Sequence, residues 1–144
     1  MSVVRKVLLL LLLLPFSGFA DHALRGVPMA SSEVRFKGGS ELIELAGTLS
    51  RPADVPKDHR LPAVVLIHGS GPNDRDETLY GHKPFLMRAA AFEAAGYAVL
   101  RYDKRGVAES GGSRQGATVV DFAADAEAAF TYIKRRRDID PLRI

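Results

Sequence analysis

The run Ala63, Val64, Val65, Leu66, Ile67 carries no polar alternation, and it passes directly into His68, Gly69, Ser70, Gly71 and Pro72. A strand that is apolar on both faces must be covered on both faces, which is the situation of a central strand in a parallel sheet with helices on either side. The next segment of the chain agrees with that placement. Pro84 suits a first helical turn, Phe85, Leu86, Ala89 and Phe92 recur at helical intervals, and Gly96 closes the element. A second apolar run at 97–102 then leads into Asp103, Lys104, Arg105 and Gly106. Strand, helix and strand together make a right-handed crossover unit of the α/β class.

The flanking segments extend the pattern. Residues 33–37 and 43–50 alternate around Gly38, Gly39 and Ser40, which predicts an antiparallel hairpin, and 51–61 reads as a proline-bearing connection. Thr118 and Asp121 have capping-box spacing, and Val119, Phe122, Ala126, Phe130 and Ile133 predict the inward face of a longer helix. Residues 138–141 read as a turn, and Leu142, Arg143 and Ile144 as the opening of a further strand. The expected order is therefore a hairpin followed by a parallel strand-helix-strand-helix.

The N-terminus has a different character. Arg5 and Lys6 precede the apolar run 7–14, and Gly18 and Ala20 supply the small residues of a cleavage site, so residues 1–20 are expected to be a signal peptide cleaved after Ala20. The run is shorter than the roughly 20 apolar residues of a membrane span. Residues 21–32 read as a leader segment and 33–144 as the partial α/β domain. The formal charge of +3 includes the two leader cations, and the one basic cluster, Lys134 to Arg137, closes the predicted helix, where cations complement the dipole; a nucleic-acid partner is not expected. Cysteine is absent, so neither disulfides nor thiolate metal sites are available.

The strand ending in HGSGPNDRDE (68–77) and the segment YDKRGVAESGG (102–112) resemble the α/β-hydrolase superfamily, nearest its exported bacterial esterase-like members of the dienelactone hydrolase and serine aminopeptidase branches. Asp103, Arg105, Gly106 and Ser110 match the family's D-x-R-G-x-G-x-S segment, with Ala108 where the second glycine is usual. The resemblance implies that the main-chain amides of Ser70 and Gly71 hold the oxyanion of acyl transfer, a donor arrangement worth several kcal/mol of barrier. It implies that His68, Gly69, Asp103, Arg105 and Gly106 support the loops, and that serine, acid and histidine follow in that order beyond residue 144. On this view the chain is the N-terminal half of the fold, truncated before the nucleophile strand. It is expected to be inactive and poorly soluble, with 63–67 left as an edge. Turnover of a short-chain aryl ester, abolished by a serine-directed inhibitor, would contradict that. The implied partner is a small ester or peptide substrate, with no cofactor and no metal.

Other assignments compete. Ser110 lies in A-E-S-G-G, an imitation of the nucleophile elbow, but neither a strand ends just before it nor a helix starts just after. His68 sits too early to be the base and reads as a brace. Asp74, Arg75, Asp76 and Glu77 lack calcium-loop spacing and are expected to pair with one another and with Arg105, while His22 and His82 read as surface residues. Gly69, Ser70 and Gly71 followed by Asp103 also suggest dinucleotide binding, weakened by Asp74 in place of the third glycine and by a late helix start. A non-catalytic binding module or remnant is the third reading.

Overall fold

The computed structural model describes residues 29–39 and 43–144; the expected signal peptide, most of the leader segment, His22 and Ser40 lie outside the described residues. Four strands and two helices run in the order β1 (Met29–Gly38), β2 (Ile43–Pro52), β3 (Ala63–Leu66), α1 (Pro84–Ala94), β4 (Ala98–Tyr102) and α2 (Val119–Lys134). The sheet order is β1-β2-β4-β3. β1 and β2 form the expected antiparallel hairpin, and β2 pairs antiparallel and β3 parallel with β4. The hairpin is longer than its alternation suggested: Met29 pairs with Pro52, so β1 begins inside the segment read as leader. Residues 29–32 are exposed on both faces, and backbone pairing, with the Ser32 hydroxyl donating to the Leu49 carbonyl at 3.4 Å, holds them in the strand.

The two helices cover opposite faces of the sheet. On one, Ala98, Leu100 and Tyr102 of β4 join Phe36, Leu45, Leu49, Leu61 and Ile139 beneath Ala129 and Ile133 of α2. On the other, Val99 and Leu66 pack against Phe85 and Ala89 of α1. Every residue of β4 is buried, as a strand between two layers requires. It is β4 that occupies this interior position. β3 pairs only with β4 among the described strands, and Ile67, expected within the strand, lies past its end and is 58% exposed.

Residues 138–144 run beside the free edge of β3 without forming a strand. Leu61 bridges Ile139 in parallel, and the Ala63 amide donates to the Arg143 carbonyl at 2.9 Å.

Helix α2 starts at the capping box read from the sequence: the Thr118 hydroxyl accepts from the Asp121 amide, and the Asp121 carboxylate accepts from the Thr118 amide at 2.7 Å. Of the expected inward face, Ile133 is buried and Phe122 and Ala126 are half-buried, and the rest differs. Asp125, Ala129 and Ile133 are the buried stripe, whereas Val119 is 82% exposed and Phe130 is also exposed. The stripe shifts because α2 must bring a carboxylate, Asp125, into the interior.

Candidate functional site

The loops leaving β3 and β4 meet in an open cleft of about 460 Å³, lined by residues 67–71, Tyr102, Lys104, Arg114, Ala117, Val119, Phe122 and Asp125. Ser70 is exposed and Gly71 half-buried, so their backbones lie at the cleft surface and not in packed interior. The Gly69 amide is occupied, donating to Glu77 Oε1 at 3.1 Å. Among the described residues, the amides of Ser70 and Gly71 donate to no protein acceptor. Gly71 has φ +103°, a conformation closed to ordinary L residues, which explains glycine at this position.

The carbonyls of Gly69, Ser70 and Gly71 are all engaged. Lys104 Nζ donates to Gly69 O at 2.9 Å and to Gly71 O at 3.2 Å, and Asn73 Nδ2 donates to Gly69 O at 3.2 Å and Ser70 O at 3.0 Å. The Lys104 amide donates to Asn73 O at 3.2 Å, and its ammonium stands 4.4 Å from the centre of the Phe122 ring. Burial depresses the Lys104 pKa, Arg114 adds to that, and Glu77 opposes it.

A second set of polar contacts laces the two loops together. Asp103, 1% exposed, accepts from Arg75 at three nitrogens: the amide at 2.7 Å, Nε at 3.2 Å and Nη2 at 2.7 Å. It also accepts from the Glu109 amide at 3.3 Å. Arg75 reaches on to Glu33 and, at 3.0 Å, to the Thr48 hydroxyl of β2, and its pKa is raised, foremost by the Asp103 bonds. Asp76 takes Arg101 of β4 and Lys83, and Asp74 is held below the usual carboxylate range because bonds from Thr78 and the Asp76 amide outweigh its burial. The acidic cluster at 74–77 is thus a set of paired loop anchors.

Arg105 does not join that cluster as expected. It turns to α2, where Nε and Nη2 donate to Asp125 at 2.7 and 3.0 Å with both side chains buried, and it also approaches Asp121. Within the cluster Asp76 is already paired with Arg101 and Lys83, while α2 offers Arg105 a buried carboxylate. Gly106 adopts φ +65°, and a Cβ there would come within 2.7 Å of the Arg114 amide nitrogen, so the turn admits no side chain. Ala108, where the related motif has glycine, sits at φ +46°.

Two residues weighed for chemistry prove structural. Ser110 is buried; its hydroxyl donates to Asp103 O at 2.7 Å and accepts from the Ala46 amide at 3.0 Å, which leaves it engaged between β2 and the β4 exit. His68 bonds the Tyr102 carbonyl through Nε2 and lies between the Phe85 and Tyr102 rings. Burial lowers its pKa, the Tyr102 carbonyl opposes that, and Lys104 reinforces it.

Lys104 and Asn73 were given no role by the sequence, and Glu77, expected to pair within its own cluster, instead accepts from the Gly69 amide. Lys104 hides between the motif residues Asp103 and Arg105, and the only clue was its position at the exit of a strand ending beside another glycine-bearing loop.

No family model matches the chain. It is 41% identical over 78 residues to the esterase EstD of Thermotoga maritima, which covers 54% of this chain and 19% of that protein. The hypothetical protein PA2218 of Pseudomonas aeruginosa superposes with TM-score 0.64 at 25% identity, covering 81% of this chain and 34% of that one. The α/β hydrolase GrgF of Penicillium sp. sh18 superposes with TM-score 0.55 at 24% identity, covering 74% of this chain and 33% of that one. The sheet order, the two covering helices and the glycine-bearing loop after β3 are those of an α/β-hydrolase fold. The chain has that fold and is similar, over part of its length, to relatives that include an esterase; it spans about a fifth of the curated relative and about a third of the solved ones.

Proposed function

We propose that this stretch supplies the oxyanion-binding side of an ester hydrolase, with the amides of Ser70 and Gly71 donating to the negative oxygen formed when a hydroxyl attacks a carboxylic ester. One observation carries the reading: the successive amides of Ser70 and Gly71, two residues that line the cleft, have no acceptor among the described residues, while the Gly69 amide and the carbonyls of Gly69, Ser70 and Gly71 are all engaged. The esterase relative supports the reaction class. In the reading, a serine attacks, a histidine takes and returns its proton, and an acid orients the histidine. None of these roles is assigned to a described residue, since Ser110 is engaged between β2 and the β4 exit and His68 braces the strand end. The substrate is a small carboxylic ester, and the leader at 1–20 directs export.

The dinucleotide reading loses support on geometry. α1 begins at Pro84, well past the glycine loop, so the helix that follows the loop does not open directly on it, as the dinucleotide fingerprint requires.

Methylphosphonate, a tetrahedral oxyanion, tests the proposal on the ¹⁵N-labelled chain. The Ser70 and Gly71 amide protons are expected to move downfield saturably, while Gly69, already bonded to Glu77, stays still. Absence of any shift at both positions would refute the oxyanion reading.

A further inference from the structure

We propose that Lys104 and Asn73 are positioning residues that aim the Ser70 and Gly71 amides into the cleft by capturing the carbonyls on the opposite side of the same peptide planes. The inference rests on the oxyanion reading and deepens it. A trans peptide is planar, with its C=O and N–H pointing in opposite directions, so fixing one fixes the other. The Gly69 carbonyl belongs to the peptide that carries the Ser70 N–H, and the Ser70 carbonyl belongs to the one that carries the Gly71 N–H. Asn73 Nδ2 gathers both carbonyls, at 3.2 and 3.0 Å, and Lys104 Nζ takes the first at 2.9 Å. With both carbonyls drawn toward two neighbouring nitrogens, both N–H groups must turn away from them, and those are the amides left without an acceptor. The third carbonyl, of Gly71, is also held by Lys104, at 3.2 Å, and its peptide carries no N–H because Pro72 is the next residue.

The arrangement is locked from both ends. The Lys104 amide donates to Asn73 O, the Lys104 side chain lies against Phe122 of α2, and Lys104 directly succeeds Asp103, which Arg75 clamps. A hydrogen bond from an ammonium also polarises the Gly69 peptide, which strengthens its N–H as a donor. The loop is therefore aimed by the exit of β4, distant in sequence, and not by its own glycines.

The test compares wild type with Lys104→Met, Lys104→Arg and Asn73→Ala in the full chain, tracking the Ser70 and Gly71 amide protons during methylphosphonate titration. The Val99 and Leu100 amide signals report that the β4 core is intact. Lys104→Met and Asn73→Ala are each expected to weaken binding about tenfold, as loss of a charge-assisted or neutral bond to the loop would. Lys104→Arg, which can donate to both carbonyls, is expected to restore it to within about threefold. Asn73→Ala sits on a half-buried loop outside both apolar clusters, so it keeps the test valid if Lys104→Met fails to fold. Equal binding by wild type, Lys104→Met and Asn73→Ala would overturn the positioning role while leaving the oxyanion reading standing. Weak binding by Lys104→Met with Asn73→Ala unchanged would overturn it too, because simple charge attraction would then suffice. No response in wild type would refute the oxyanion reading itself, and the positioning role with it.

Discussion

Replacing Asp103 should loosen both loops at once, and the size of the effect comes from its four accepted bonds. One carboxylate oxygen takes the Arg75 amide at 2.7 Å and Nε at 3.2 Å; the other takes Nη2 at 2.7 Å and the Glu109 amide at 3.3 Å. Asp103→Asn keeps the shape, but in either orientation of the amide two donors face an NH₂ group. Hydrogen bonds involving a charged partner contribute about 1.5–3 kcal/mol each, and a bond of 3.3 Å contributes less. Arg75 keeps Glu33 and, at 3.3 Å, Glu109 as remaining carboxylate partners. The expected loss for Asp103→Asn is about 2–3 kcal/mol.

Asp103→Ala removes both acceptor oxygens, and with them all four bonds, and leaves Arg75, whose side chain is only 14% exposed, beside a cavity; about 3–5 kcal/mol is expected, as for other broken buried pairs. Urea denaturation with the slope unchanged reads both values, and the Asn variant should shift the midpoint down by about 1–1.5 M for a slope near ~2 kcal/mol/M. Hydrogen exchange adds a local check: the Arg75 and Glu109 amides both lose protection in the Ala variant. If Asp103→Asn costs less than about 0.5 kcal/mol, the clamp is a surface ion pair in energetic terms and the loop is held by something else.

Ser110→Ala leaves the Ala46 amide and the Asp103 carbonyl without a partner in a buried site, so stability should fall by about 1–3 kcal/mol in urea; an unchanged midpoint would show that the hydroxyl is dispensable to the fold. Ala108→Gly relieves a left-handed alanine and is expected to stabilise by about 0.5–1 kcal/mol, with any destabilisation in the same titration counting against strain there. His68 has a folded pKa below its ordinary 6.5, so as pH falls through 6.5 the unfolded chain takes up a proton that the folded one resists, and stability drops. His68→Gln keeps a donor for the Tyr102 carbonyl without titrating; a melt whose pH dependence between about 5 and 7 matches the wild type would exclude His68 as its source. Among the described residues, β3 has one unpartnered edge at its centre, so Val65→Pro, which deletes an outward donor and keeps the bonds to β4, should slow aggregation measured by light scattering; an unchanged rate would place association elsewhere.

Local patterns were readable and crossed polar ones were not. Thr118 and Asp121 are three residues apart, so their reciprocal cap is visible without any fold. The inward face of α2 was read only in part, because hydrophobic periodicity discards an aspartate, and Asp125 is buried in a pair with Arg105, 20 positions earlier in the chain. Arg75 and Arg105 were assigned to one cluster for the same reason: sequence proximity says nothing about which cation reaches which carboxylate across two loops. The non-alternating run at 63–67 signalled a parallel sheet correctly, yet Ile67 falls beyond the strand, where the chain must already turn toward the cleft.

The exit of β4 explains why so many charges can be buried at this end of the sheet without a metal-like cluster forming among the described residues. Arg101, Asp103, Lys104 and Arg105 are all buried, within five successive positions, and each secures a different partner: along the loop between β3 and α1, Arg101 holds Asp76, Asp103 holds Arg75 and Lys104 holds the carbonyls of Gly69 and Gly71, while Arg105 holds Asp125 of α2. Apolar residues at these positions would bury as much area but would fix no orientation, because hydrophobic contact is not directional. A site that must present two backbone amides to within a fraction of an ångström needs direction more than it needs burial. The consequence is an ordering of sensitivities: substitutions at the β4 exit should disturb the Ser70 and Gly71 amides more than substitutions of Ser70's own side chain, whose hydroxyl makes no hydrogen bond among the described residues.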